Sequence, residues 1–191
     1  SQLYRGDQLE KLGVGQSIDD FELLVELGKG AFGSVYLAKQ VSMQRLVALK
    51  VTAFRGTEPQ TLAQLDHPNI IRVFDQRRLP QQGILLMYMQ LAPGGTLEEV
   101  VQQVQATPVA QRSGKILADC VIRATTSTTY IMMDEGTIRS RFEAMPWPEV
   151  VAGLGIQLAK ALHYACQQGI MHRDIKPANV LLAVDGSSKL A

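Results

Sequence analysis

The sequence predicts an α+β fold: a five-stranded antiparallel sheet carrying one helix, followed by a mainly helical region. Two observations lead there. Between Phe21 and Met89, short apolar runs rich in Val, Ile and Leu alternate with glycine-rich or polar turns, as in hairpin-linked strands. From Pro148 to Ala165 the apolar residues Val151, Leu154, Leu158, Leu162 and Ala165 instead recur at three- and four-residue spacing, the mark of a helix with one buried stripe.

A chain of 191 residues with 46% apolar content has enough material for a real core, as one ordinary domain or part of a two-lobed one. A net charge of +1 supplies no electrostatic reason to expect nucleic acid or an anionic membrane as partner. Cys120 and Cys166 lie far apart without metal-ligand spacing, which reads as free thiols in a reducing compartment. Residues 1–20 are polar, so no signal peptide is expected. The longest apolar stretch, Ile84 to Ala92, is too short to span a bilayer and contains Gln90. A cytoplasmic protein without a membrane segment is the expectation.

In chain order, residues 1–18 read as a polar tail. Phe21 to Leu27 forms a strand that runs into Gly28-Lys29-Gly30-Ala31-Phe32-Gly33, and Ser34 to Ala38 forms the next. Glycines at 28, 30 and 33 let a backbone lie close over phosphates with its amides pointing at them. Dinucleotide-binding folds use a similar spacing, but a helix follows their glycines; here the β-rich Ser34 to Ala38 favours a hairpin. Val47 to Val51 is a third strand, interrupted by Lys50, which is costly to bury unless paired. Thr57-Glu58-Pro59-Gln60 has capping-box form and opens a short helix that Asp66-His67-Pro68-Asn69 stops. Ile70 to Phe74 and Gly83 to Met89 complete five strands.

Thr96-Leu97-Glu98-Glu99 is a second capping box, for a helix reaching about Gln105. Residues 106–145 then form a Thr/Ser-rich stretch of mixed charge. Lys115 to Arg123 has the apolar content for a short helix, but the segment as a whole is expected to be mobile and dispensable for nucleotide chemistry. The helix from Pro148 ends at Gly169. His172-Arg173-Asp174-Ile175-Lys176-Pro177-Ala178-Asn179 follows, and Asp185-Gly186 marks a closing hairpin. Asp174, Lys176 and Asn179 suit phosphoryl transfer: a carboxylate to accept a hydroxyl proton, an ammonium to neutralise a moving phosphoryl group, an amide oxygen for magnesium. His172 reads as a packed, hydrogen-bonded side chain.

The stretch from His172 to Asn179 resembles the catalytic loop of protein kinases, and its Lys-Pro resembles the serine/threonine branch. Together with the glycine loop, Lys50 and Glu58 ten residues before Pro68, the resemblance covers about Phe21 to Ala191. It implies a bilobal kinase fold with an N-lobe and hinge over 19–92 and part of a C-lobe over 93–191. It also implies ATP and Mg2+ as cofactors and a protein with a Ser/Thr hydroxyl as substrate, in the manner of the bacterial enzymes. By the same resemblance, Asp174, Lys176, Asn179, Lys50 and Glu58 are the catalytic set, with Asn179 a metal ligand. Leu27, Gly28, Lys29, Gly30, Gly33, Val35, Ala48, Lys50, Met89, Gln90, Ala92 and Leu181 would hold the nucleotide, with Met89 gating the deep pocket. Three departures stand out: a short link from Lys50 to Glu58, Cys166 where the family often has His, and the segment 106–145. The family's next motif, Asp-Phe-Gly, does not occur before Ala191, so the sequence reads as a fragment, expected to be inactive alone. The alternative is a pseudokinase-like nucleotide-binding or scaffold module. Oligomeric state is not readable from the residues.

Overall fold

The computed structural model describes residues 12–30, 33–54, 65–127, 130–131 and 134–191. These fall into two compact units, the first drawn from Ser1–Gln64 and Arg72–Leu91, the second from Leu65–Ile71 and Ala92–Ala191.

The first unit is an antiparallel sheet of β1 (Ser17–Ile18), β2 (Phe21–Gly30), β3 (Gly33–Gln40), β4 (Arg45–Ala53), β5 (Val73–Leu79) and β6 (Ile84–Met89). Its order is β1-β2-β3-β4-β6-β5. The sheet thus has six strands rather than five, because Ser17 and Ile18, assigned to the polar tail, pair with Glu22 and Phe21. Ile18 is apolar and buried, which ties the segment down. Paired residues in adjacent strands share a face. Tyr36, Leu49 and Tyr88 are aligned across three strands and form one core with Phe21, Leu23, Val47, Val51 and Leu86. The opposite face carries Val35, Lys50 and Met87 in one row and Leu37, Ala48 and Met89 in the next. The expected strand at Ile70 to Phe74 begins only at Val73. The helix expected from Thr57, with Glu58, lies outside the described residues.

The second unit holds α1 (Leu97–Ala106), α2 (Lys115–Thr126), α3 (Glu135–Phe142), α4 (Trp147–Gln167) and the hairpin β7 (Val180–Leu182) and β8 (Ser188–Leu190). α1 starts where its capping box predicts: the Thr96 hydroxyl accepts from the Glu99 amide at 3.3 Å, and Glu99 Oε2 accepts from the Thr96 amide at 2.9 Å. Residues 106–145 are a correction to expectation. Their helix α2 is buried on most sides, through Ile116, Leu117, Ala118, Cys120, Val121 and Ile122. It packs in one cluster with Val100 of α1, Ile138 and Phe142 of α3, Val150 and Leu154 of α4, and Leu182 of β7. Its Thr/Ser tail satisfies itself, the Thr126 hydroxyl donating to the Ile122 carbonyl and that of Ser127 to Ala124, which lets polar residues end a buried helix. The excursion also closes: the Gly114 amide donates to the Met145 carbonyl at 2.8 Å, beside a bridge between Ser113 and Pro146.

The α4 stripe is displaced by one residue at its start. Val150, Leu154, Ala161 and Ala165 are buried while Val151 is exposed; Leu158 and Leu162 are half-buried. Gly169 ends the helix at φ +73°, a left-handed cap conformation that favours glycine. Among the described residues no helix is long and apolar enough to cross a membrane, and both cysteines are free thiols.

Candidate active site

The loop between α4 and β7 is built around Asp174. One carboxylate oxygen, Oδ2, accepts from Lys176 Nζ at 2.9 Å and from Asn179 Nδ2 at 2.8 Å. The same Asn179 nitrogen also donates to the Asp174 carbonyl at 2.8 Å. Arg173 takes a left-handed φ of +64°, uncommon for a residue with a side chain and characteristic of functional loops. That turn lets the Asp174 amide donate back to His172 Nδ1 at 3.3 Å. With Nδ1 accepting, His172 carries its proton on Nε2, which donates to the main-chain oxygen of Ala191 at 2.7 Å. His172 is therefore the hydrogen-bonded strut that its sequence context suggests.

Asp174 is exposed, so charge and hydrogen bonding rather than burial govern it. The Lys176 ammonium, and after it the Asn179 amide, hold its carboxyl below the usual aspartate range. Its second oxygen, Oδ1, takes no hydrogen bond among the described residues. Because Asn179 spends its nitrogen on Asp174, its amide oxygen is the atom left to face outward. Among the described residues no cluster of three or more His, Cys, Asp or Glu could hold a metal. Asn179 Oδ1 is a hard oxygen donor, the ligand type that magnesium takes.

The hairpin carrying Asn179 is pinned by residues that sequence reasoning missed. Gln157 Oε1 accepts from the Ser188 amide at 2.7 Å, the Ser188 hydroxyl at 2.9 Å and Asn69 Nδ2 at 3.2 Å. Asn69 Nδ2 also reaches the Ser188 carbonyl at 2.8 Å, and Lys189 Nζ donates to the Pro68 carbonyl at 2.7 Å. Burial lowers the pKa of Lys189, with Asp185 opposing. Ile71 donates to the Leu190 carbonyl at 2.8 Å and Leu190 to that of Asn69 at 2.9 Å. A signal was present: Gln157 is a polar residue on the buried stripe of α4, and such a residue needs partners.

In the sheet, the glycines separate by role. Gly33 has φ +143°, and a Cβ there would lie 2.1 Å from the Val51 carbonyl oxygen, so the fold itself demands glycine. Among the described residues, Gly28 has no neighbour within 4 Å of a built Cβ, and Gly30 meets the Gly33 carbonyl at 3.8 Å. Neither needs a positive φ. Among the described residues nothing in conformation or packing calls for those two glycines, which leaves room for close approach by a ligand. Leu27 and Lys29 are exposed beside them. Lys50 is exposed, in register with Val35 and Met87; Ala48 lies in register with Leu37 and Met89. The partner expected for Lys50, Glu58, lies outside the described residues, as do Ala31 and Phe32. The Gln90 amide donates to the Arg72 carbonyl at 2.8 Å, which leaves Gln90 its carbonyl oxygen for a ligand. Ala92 and Leu181 are half-buried, Leu181 bridging to Thr96.

Comparison with known proteins gives this arrangement its context. The serine/threonine-protein kinase PknJ of Mycobacterium tuberculosis is 33% identical over 184 residues, covering 91% of this chain and 24% of the relative. Aurora kinase B of Mus musculus is 30% identical over 186 residues, covering 92% and 42%. The CBL-interacting serine/threonine-protein kinase 7 of Arabidopsis thaliana is 28% identical over 183 residues, covering 90% and 33%. The chain thus spans about a quarter of the length of the curated mycobacterial relative it matches. Residues 21–191 match the family described as protein tyrosine and serine/threonine kinase. Since that match takes in both the sheet and the loop around Asp174, the chain belongs to the protein kinase family.

Proposed function

We propose that the chain is the part of a serine/threonine protein kinase that binds ATP and directs its γ-phosphoryl group to a protein hydroxyl. The observation that carries this reading is the shared oxygen of Asp174, held by Lys176 and Asn179 at 2.9 and 2.8 Å. It leaves Oδ1 free to receive a hydroxyl. The Lys-Pro at 176–177 and the relatives' names favour serine and threonine over tyrosine.

Kinases as a family work with ATP and magnesium, and the residues present fit both. The unencumbered Gly28 and Gly30, with Leu27, Lys29 and Gly33, offer main-chain amides to phosphates. Val35, Ala48 and Leu181 contribute apolar surface to adenine, the Gln90 carbonyl and Ala92 main chain its polar contacts, and Met89 the gate. Lys50, with Glu58, holds the α- and β-phosphates. Asn179 Oδ1 would hold magnesium, which when bound neutralises charge on the phosphates.

In the transfer, the substrate oxygen bonds to the γ-phosphorus as the bond to the bridging oxygen breaks, and ADP carries away the electron pair. The hydroxyl proton passes to Asp174 Oδ1. A carboxyl held low is a weak base, so Asp174 chiefly orients the hydroxyl and takes the proton late, once bond formation has made it acidic. Lys176 stabilises charge on the moving group. ATP and two free thiols suit a cytoplasmic setting. The test is Asp174→Asn in the natural protein. Phosphate transfer to a Ser/Thr protein substrate should drop by about 10²–10⁴-fold with nucleotide affinity unchanged. A variant within tenfold of wild type overturns the reading.

A further inference from the structure

The segment 106–145 has no part in the reaction as described, yet its second helix grips the hairpin that carries Asn179. Arg141 Nη1 donates to the Asp185 carbonyl at 3.0 Å and lies 3.4 Å from the Asp185 carboxylate. The Arg141 guanidinium sits 5.0 Å from the Phe142 ring centroid, so the ring steadies the guanidinium. Phe142 in turn occupies the space over Gly186: a Cβ at Gly186 would fall 2.5 Å from the ring, and φ there is +76°. The turn is therefore shaped to accept this ring. α3 is itself anchored, Arg139 binding Asp119 of α2 at 3.0 Å and Ile138 being buried in the common core. From the Asp185–Gly186 turn, β7 leads straight back to Val180 and Asn179. Leu182 on β7 lies in the same cluster as Phe142, and Gly94 closes on β7 from the other side, its amide donating to the Leu182 carbonyl at 2.8 Å.

We infer that α3 is a positioning clamp on this hairpin, with Arg141 and Phe142 as positioning residues that set Asn179 for magnesium. The inference rests on the proposed kinase reading for its magnesium. Its physical basis is that β7 begins at Val180, directly after Asn179, so the turn that closes the hairpin helps fix the backbone from which Asn179 projects, and what fixes a metal ligand's orientation commonly governs metal affinity. Arg141 grips the turn through a planar, forked cation, about half exposed, so removing it does not hollow the core. Lysine at the same place keeps the charge and one donor.

The experiment compares the natural protein with Arg141→Ala and Arg141→Lys by three readouts. Hydrogen exchange of the amides from Asp185 to Ser188 should quicken about tenfold in Arg141→Ala. Paramagnetic broadening of the Asn179 side-chain resonance by Mn2+, with ADP present, should need about tenfold more metal. The magnesium concentration for half-maximal transfer should rise alike while the protein-substrate KM stays put, and Arg141→Lys should recover part of each. A loosened turn with unchanged metal dependence overturns the inference, leaving a structural contact only. A turn whose exchange does not change overturns it as well. Should Asp174→Asn prove fully active, the kinase reading fails separately, and the exchange and Mn2+ measurements still decide whether α3 tunes a metal site.

Discussion

Gly28 and Gly33 belong to one motif in sequence and to two different physical problems in the fold. Alanine at 33 faces both a left-handed φ and the Val51 carbonyl oxygen at 2.1 Å, so Gly33→Ala should cost about 1–3 kcal/mol of stability, read by denaturant unfolding. Alanine at 28 meets nothing within 4 Å among the described residues and should leave stability within about 0.5 kcal/mol while weakening nucleotide binding measured by calorimetry. If both variants lose stability equally, the division of roles is wrong. Asp174 allows a pH prediction. Its folded-state pKa is lowered by Lys176 and Asn179, below its value in the unfolded chain. The stabilisation this lends the loop is therefore fully present above the unfolded value and is lost as pH falls through the folded one. Carboxyl resonances followed by NMR should show Asp174 titrating below the range of an unperturbed aspartate. Titration at the ordinary value would mean the Lys176 contact does not persist in solution.

At the scale of elements, α2 and α3 put packed helices where residues 106–145 are expected to be mobile. Leu117 is fully buried in the cluster of α1, α3, α4 and β7, so Leu117→Ala should cost about 2–5 kcal/mol. Deleting 115–144 is easy for the backbone, since Gly114 and Met145 already share a hydrogen bond. It nevertheless strips the cover from Val100, Val150, Leu154 and Leu182. The deletion variant should bind hydrophobic dye and lose a sharp unfolding transition. A variant that unfolds as cooperatively as the parent would restore the view of the segment as an appendage. Apolar content alone, at Ile116, Leu117, Val121 and Ile122, suggests the helix. That α2 is buried on most sides depends on α1, α3, α4 and β7 closing around it.

For the whole molecule, Lys50 lies in one compact unit and Asp174 in the other, and the proposed reaction draws on both. Lys50 is an exposed residue on a well-packed strand, so Lys50→Met should leave stability within about 0.5 kcal/mol. Trp147, the chain's one tryptophan, reports on the second unit and should melt unchanged. Phosphate transfer should fall about a hundredfold or more, as when a preorganised charge contact is removed. Retained transfer would show that Lys50 does not hold the phosphates.

Local chemistry settled what the residues themselves encode. The capping box at Thr96, the cap at Gly169 and the Asp185-Gly186 turn each depend on groups a few positions apart. All were readable in the sequence for that reason. The tertiary structure decided what depends on who the neighbours are. It drew Ser17 and Ile18 into the sheet and turned the α4 stripe toward Val150. It aligned Val35, Lys50 and Met87 on one face through strand register. It joined Asn69, Gln157 and Ser188, which span 119 positions, into one network behind the hairpin. Periodicity names a face but not its partner. The partners of a half-buried glutamine, like those of a core-filling helix, are known only when chain segments far apart supply the hydrogen bonds and the apolar surface.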